Sequence, residues 1–596
     1  MHAVSDAGGG VSLAAPPAAG DWRPALWQVW LGVSALLVLI GLPRMLAFSA
    51  QDPDDYMRLL EVRDWLAGQG WFDVRQYRMD PPLGADMHWS RLVDLPVAAF
   101  LLPFGQVLPA HAAQVAAMTA VPLVQLLVAM LVMRGLLRAL GAPRDAVLAA
   151  IAVLPLFPLL ASNFMPLRID HHGWQAVAAL AAAWLLVRGG RRAAFAAGAL
   201  AAAWLTISLE GLPLVALLGG LFALRYWLSG KREHEAFLAA AALSGALLFA
   251  ATRPAGEFAT AYCDMLSWPH FLALAAAALL AAGSRVLPAQ ARPLGRLAAL
   301  VPLPLAAGAA LLAPLGACAV NPFAGLDPVL RRHWLDNIAE GLPITAQPPS
   351  VAAMLLWTML IVALGARLAL RQAADEPARE RWTMLALYAL GAGAMSLLVM
   401  RAGLAAQILA VPFAAVLLAH YVPRARALRG AAPRIAATLA CIVLATPTFA
   451  SAAFKPLDRL GSSGAGASAA GAAGEPCDLA RLGALPRARL FAPLDLGPEI
   501  LARTPHSVVM GNYHRNQAKM HEVFDAFAGP PGRARDIVAA NRSGYLVACV
   551  DPQALSVYAE AGRGNLADKL LAGDLPDWLE PVAGFERGTL RVYRVR

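Results

Sequence analysis

Charge is scarce in this chain. Asp, Glu, Lys and Arg make up 15% of its 596 residues, where soluble domains carry about a quarter. Hydrophobic residues make up 59%. A string of soluble domains is excluded, although the length alone would allow one. Cysteine is also scarce: Cys263, Cys318, Cys441, Cys477 and Cys549 are the full set. None stands in a CxxC pair, which removes zinc-ribbon and dithiol redox chemistry. No internal repeat is visible, which argues against an inverted-repeat transporter. No cleavable signal peptide is expected. Residues 1–24 are Gly/Ala/Pro-rich and expected to be a disordered cytoplasmic N-terminus, with the first apolar run after them.

What the chain has instead is apolar runs. About thirteen are long enough to be read as spans. They lie near 25–48, 114–137, 146–162, 174–188, 193–208, 211–229, 235–252, 269–284, 297–317, 350–370, 382–400, 403–421 and 434–451. The formal charge of +10 could suggest a nucleic-acid partner. The arginines, however, cluster between apolar runs, as the positive-inside rule describes, so no nucleic acid is expected. With the N-terminus cytoplasmic, Arg138 and Arg144, Arg188 to Arg192, Lys231 and Arg232, Arg285 to Arg296, Arg371 to Arg381 and Arg424 to Arg434 all fall in cytoplasmic loops.

The expected fold is therefore a polytopic α-helical membrane protein of about 13 transmembrane helices with a small C-terminal α/β periplasmic domain. A transmembrane region covers 25–451, with a first periplasmic loop at 49–95 and a long one at 318–349. A flexible linker covers 452–476 and the periplasmic domain 477–596. In that last part RLFAPLD, HSVVMGNY, GYLVACVD and TLRVYRV read as strands, and MHEVFDAF as a helix. Cys477 and Cys549 are its two cysteines. On an oxidising side they can pair; two buried thiols is the other reading. The location expected is a bacterial inner membrane, multi-pass.

Polar features gather on one face. Asp52, Asp54 and Asp55 follow the first span directly. Carboxylates cost several kcal/mol in hydrocarbon, so they belong to water or to a bound cation. A solvated helix N-terminus also fits. The segment DPDDYMRLLEVRDWL has an apolar stripe and is expected to lie in the membrane interface. Arg168, Asp170, His171 and His172 form the tip of a short loop; in an extended segment Asp170 and His172 point the same way. Carboxylate with imidazole suits a divalent metal, and a polar loop facing water is the alternative. Glu340 sits in a segment too polar to span, a candidate flap. Arg401 stands between two apolar runs, where a diphosphate is a natural partner and a snorkelling turn residue the bland one. Glu210 lies on the same face with no role to assign.

This combination resembles the GT-C membrane glycosyltransferases, most closely the catalytic subunit of oligosaccharyltransferase in its bacterial and archaeal forms. The resemblance covers about residues 25–450. DPDDYMR resembles the family's first acidic motif, with Arg58 six residues after Asp52. RIDHHGW resembles the second, which is D-H-H in archaeal members. NIAE, Asn337 to Glu340, resembles the T-I-x-E motif with Asn in place of Thr. The resemblance implies Asp52, Asp170 and His172 as ligands of Mn²⁺ or Mg²⁺. It implies Asp52 and Glu340 as catalytic acids, and Arg401, with His171 and Arg168, as the donor-phosphate site. The family's Trp-Trp-Asp-Tyr-Gly motif is absent. VVMGNYHRN stands in a similar place and offers Tyr513, His514 and Arg515 to an acceptor.

The expected function is a metal-assisted transfer of a sugar or oligosaccharide from a polyprenyl-(di)phosphate donor to an envelope acceptor on the periplasmic face. Membrane lipid surrounds the reaction, and the acceptor is a glycan, a lipid or a protein. A transporter or flippase for lipid-linked glycans is the reading from another class, and a polymerase or ligase a third. The scarcity of ionisable residues inside the apolar runs argues against transport.

Overall fold

The computed structural model describes residues 23–286, 292–461, 477–586 and 588–596. The expected disordered segment 1–24, except its last two residues, and most of the linker 452–476 lie outside the described residues.

Helix α1 (Arg23–Ala47) leads into α2 (Pro53–Leu66), a small antiparallel ribbon of β1 (Arg75–Gln76) and β2 (Ala85–Asp86), and α3 (Asp94–Val107). Then come α4 (Ala110–Ala139), α5 (Arg144–Val153), α6 (Pro158–Asn163), α7 (His172–Arg188), α8 (Arg191–Ile207), α9 (Leu212–Ser229), α10 (Glu233–Thr252) and α11 (Trp268–Gly283). Beyond the short helices up to 319, α12 (Pro349–Gln372), α13 (Glu376–Leu398) and α14 (Gly403–Arg426) complete the inner bundle. Helix α14 is its axis, with an unbroken buried run from Gly403 to Val416.

Among the described residues, eight helices are long and apolar enough to cross a membrane, or nine if Ala431–Leu444 and Thr448–Leu457, bent by 90°, count as one span. The protein is multi-pass. The remaining expected spans fall on helical segments with identifiable shortfalls. Residues 146–162 break at Pro155 and Pro158, because proline supplies no backbone N–H to continue the ladder. Helices α7 and α8 have 17 residues each, and α13 is long but less apolar.

One expectation is corrected. Helix α2 does not lie in a membrane interface. Every residue from Asp55 to Val62 is buried, so it has no face left for lipid or water. Its polar side finds protein partners: Arg58 Nη1 donates to Asp94 Oδ1 at 2.9 Å and Glu61 Oε2 at 3.2 Å, under the Trp89 ring. An apolar stripe shows that one face is covered, not whether lipid or protein covers it.

The C-terminal part forms a five-stranded sheet in the order β4-β3-β5-β7-β6. Strands β3 (Arg489–Phe491), β4 (Ser507–Val508) and β5 (Tyr545–Cys549) are parallel, while β7 (Leu590–Val595) and β6 (Leu579–Pro581) run antiparallel. Four of the five strands fall inside stretches that read as strands in the sequence; β6 was not anticipated. Leu490, Phe491, Leu546 and Val547 share one core with Met57, Leu60 and Met79 of the first loop. Arg78 fixes that junction by donating to the carbonyls of Leu501, Thr504 and His506. The first loop is thus packed between the bundle and the sheet. Cys477 and Cys549 are joined, as are Cys263 and Cys318, while Cys441 is free.

Candidate active site

Asp52 caps α2: its Oδ1 accepts the Asp54 N–H at 3.0 Å, and Pro53 occupies the first helical position. Proline suits that place because its missing N–H would have no helical partner there. The cap aims the next two carboxylates in different directions. Asp55 is buried, and its Oδ1 accepts the backbone N–H groups of Ile169 and Asp170 at 2.9 and 3.0 Å. Asp54 accepts the Tyr513 hydroxyl at 3.2 Å.

The D-H-H loop is therefore pinned to α2. Arg168 Nη1 lies 3.1 Å from Asp52 Oδ2 and 3.2 Å from Asp55 Oδ2, and its Nη2 lies 4.0 Å from Asp170 Oδ2. Burial works against the guanidinium charge, but Asp55, Asp170 and Asp52 together outweigh it and raise its pKa. His171 Nδ1 is 2.6 Å from Asp170 Oδ1, and His172 Nε2 is 3.3 Å from Asp170 Oδ2. Ligand atoms of Asp170, His171 and His172 lie within 4.8 Å of one another. Among the described residues, no well-aligned hydrogen bond reaches the buried Oδ2 of Asp170, although His172 Nε2 lies 3.3 Å away, a position a cation would satisfy. Gly173 lets α7 start here. A Cβ at that position would stand 2.2 Å from the side-chain oxygen of Gln125.

Glu210 enters from the turn before α9. Its Oε2 accepts Gln175 Nε2 at 2.9 Å and lies 3.5 Å from His171 Nε2. Arg401, just before α14, pairs with both Glu210 and Glu340. The long loop is anchored beside it, where the Met400 N–H donates to the Leu342 carbonyl at 3.1 Å. Five separate chain regions thus meet in one acidic and histidine-rich cleft.

Electrostatics here is dominated by enclosure. Burial, then the charges of Asp170 and Asp52, raise the Asp54 pKa well above the carboxylate range. Burial pushes Asp55 up to about 7 against the pull of Arg168. Burial together with Asp52 and Asp170 raises Glu340 to about 6.

The residues expected from the sequence are mostly together, with three differences in detail. His171 stands with Asp170 and His172 in the potential ligand set, whereas Asp52 is engaged by Arg168. Arg168 faces three carboxylates. Tyr513 reaches the cleft, but His514 and Arg515 turn to Asp264, at 3.0 Å from His514 Nε2 and 2.7 Å from Arg515 Nε. Glu210 is the participant whose role the sequence left unassigned. Its signal was an acid beside a proline-started helix on the same face as the others.

Fold and cleft together define a polytopic helical membrane protein of the oligosaccharyltransferase fold. No family model matches the chain, and no curated protein matches it. Solved structures do. The archaeal oligosaccharyltransferase AglB from Archaeoglobus fulgidus, in complex with an inhibitory peptide and a dolichol-phosphate, aligns with a TM-score of 0.60 at 15% identity, covering 94% of this chain and 73% of that one. The A. fulgidus enzyme tethered to an acceptor peptide with the NVT sequon aligns with a TM-score of 0.61 at 15% identity, covering 97% and 75%. Its complex with Zn and sulfate aligns with a TM-score of 0.57 at 15% identity, covering 95% and 73%.

Proposed function

We propose that this chain is a membrane glycosyltransferase of GT-C type that moves a sugar or oligosaccharide from a polyprenyl-(di)phosphate donor to an envelope acceptor. The observation that carries the reading is the convergence of the D-H-H loop, Arg401 and Glu340 on one cleft floored by the first-loop aspartates.

Asp170, His171 and His172, with Asp52 at the rim, are the residues that would hold Mn²⁺ or Mg²⁺. The unsatisfied Asp170 Oδ2 and the hard carboxylate oxygens fit such an ion. When bound, the cation neutralises charge on the leaving phosphate. Arg401 presents a planar donor fork that suits phosphate oxygens, and a donor phosphate would compete with Glu210 and Glu340 for it. Glu340, released from Arg401, can accept a hydrogen bond from the acceptor nucleophile and orient it. Asp55 acts on none of these atoms; it holds the D-H-H loop in register. Charge stabilisation of this kind is usually the largest catalytic contribution.

The cleft is read as periplasmic, with the N-terminus cytoplasmic, about 13 spans and 477–596 as a periplasmic α/β domain. The arginine-rich loops support this, and so do the two disulfides, since disulfides persist in oxidising compartments. Without the Trp-Trp-Asp-Tyr-Gly motif the acceptor is a glycan, a lipid or a protein.

The test uses the purified protein in liposomes with a labelled polyprenyl-diphosphate sugar, Mn²⁺ or Mg²⁺, and a cell-envelope extract. Metal-dependent release of lipid phosphate, lost in Asp52→Ala and Asp170→Ala, is expected. Donor that crosses the bilayer uncleaved would instead identify a flippase.

A further inference from the structure

A second cluster lies outside the cleft. His88 comes from the first loop just after β2, Asp264 from the segment between α10 and α11, and His514 from the turn after β4. One ligand atom of each lies within 4.8 Å of the others. The His88 and His514 ring centroids are 5.0 Å apart, and His514 Nε2 is 3.0 Å from Asp264 Oδ2. Among the described residues, neither ring nitrogen of His88 has a hydrogen-bond partner; its carbonyl is the bonded group.

The surroundings hold these groups in place. Arg515 grips Asp264 with two parallel bonds, Nε to Oδ2 at 2.7 Å and Nη2 to Oδ1 at 2.9 Å. Arg515 and His514 both meet Asp264 Oδ2, while Oδ1, among the described residues, accepts from Arg515 alone and keeps one lone pair free. Arg515 Nη1 also meets Asp86 Oδ2 at 2.9 Å. Arg253 Nη2 fixes the backbone beside His88 by donating to the carbonyls of His88 and Trp89 at 2.7 and 3.0 Å. Such outer partners orient metal ligands in general. Asp264, Asp86 and Glu257 carry one negative charge each against the positive charges of Arg515 and Arg253, so the surroundings are net negative and favour a cation.

We propose that His88, Asp264 and His514 form a second divalent-metal site, separate from the cleft and of the Zn²⁺ class. Two imidazoles and one carboxylate are a borderline donor set that zinc prefers over Mg²⁺, with the fourth tetrahedral position left to water. The site joins three segments that frame the cleft. Asp264 follows Cys263, whose disulfide to Cys318 anchors the start of the long loop that carries Glu340. His514 follows Tyr513, which donates to Asp54. An ion here fastens the turn after β4 against the first loop, and with it the Tyr513 contact. It takes no part in the transfer chemistry.

The test is a metal count. The full chain, purified in detergent, is stripped with a chelator, reloaded with Zn²⁺ alone, washed and measured by elemental mass spectrometry. Loss of one Zn²⁺ per chain is expected in His88→Ala and in His514→Ala. Co²⁺ substitution should give tetrahedral d–d absorption that disappears in the same two variants. His88→Gln keeps most of the side-chain volume and serves if alanine compromises folding, with an unchanged size-exclusion profile as the control. Wild-type Zn²⁺ content in folded His88→Gln and His514→Ala would overturn the proposal and leave a metal-free ion-pair clasp. Asp170→Ala separates the two sites. If it binds as much Zn²⁺ as wild type while the His88 variants lose one, the cleft metal fails and the second site stands.

Discussion

A single carboxylate of α2, Asp55, accepts the backbone N–H groups of both Ile169 and Asp170, at 2.9 and 3.0 Å. The second acidic motif is thus positioned by the first, across a separation of more than a hundred residues. Asp55→Ala should cost about 1–3 kcal/mol, since it orphans two buried donors. It should also cut lipid-phosphate release by misplacing Asp170. Asp55→Asn keeps an acceptor oxygen and should be milder. Thermal unfolding and the release assay check both variants, and a wild-type melting temperature in Asp55→Ala would count against the pinning role.

Asp55 also sets a pH dependence. Its pKa, pushed up to about 7, exceeds that of the unfolded chain, so the folded state holds this proton more tightly. Its stabilising contribution is full below the unfolded pKa of 3.8 and is lost as pH rises through about 7. In Asp55→Asn the melting temperature should fall less between pH 5 and 8 than in wild type. Parallel curves for the two proteins would exclude Asp55 as the titrating group.

Glu340 accepts a bond from a nucleophile most strongly when ionised, and its pKa is raised to about 6. Activity should therefore rise with pH through about 6, and Glu340→Gln should abolish this limb together with most of the rate. A pH–rate profile decides the matter. An acid limb that survives in Glu340→Gln belongs to another group.

Arg401 joins Glu210 and Glu340. If that fork also receives the donor phosphate, Arg401→Lys should fail to rescue Arg401→Ala, because an ammonium cannot make the paired contact. About 10²-fold loss is expected, the scale of one removed charge-stabilising group. Glu210→Gln should weaken the competing pair and lower the KM for donor. An unchanged KM in Glu210→Gln would show that the pair does not gate donor entry.

The disulfides are open to direct counting. Alkylation of the denatured, unreduced chain should label Cys441 alone, and reduction should expose the other four cysteines. Peptide mass spectrometry reads the result. Labelling of Cys263 and Cys318 without reduction would remove the anchor at the start of the long loop.

Sequence by itself determined the bundle and the order of its polar motifs. Apolar runs and basic loops are local signals, and so are the strands around Leu490 and Val547. Asp52, Asp170, His172, Glu340 and Arg401 could be singled out because a charge between apolar runs is costly enough to stand out wherever it occurs. Tertiary structure decided the rest. The same apolar stripe in α2 would serve lipid or protein, and only the sheet packed over the first loop shows that it is protein. The parts of Asp55 and Glu210, the Cys263–Cys318 pair and the His88–Asp264–His514 cluster depend on partners 35 to more than 200 residues away. Spacing carries no information at that range, because the burial of many other side chains, and no local preference, brings those groups within a few ångströms of one another.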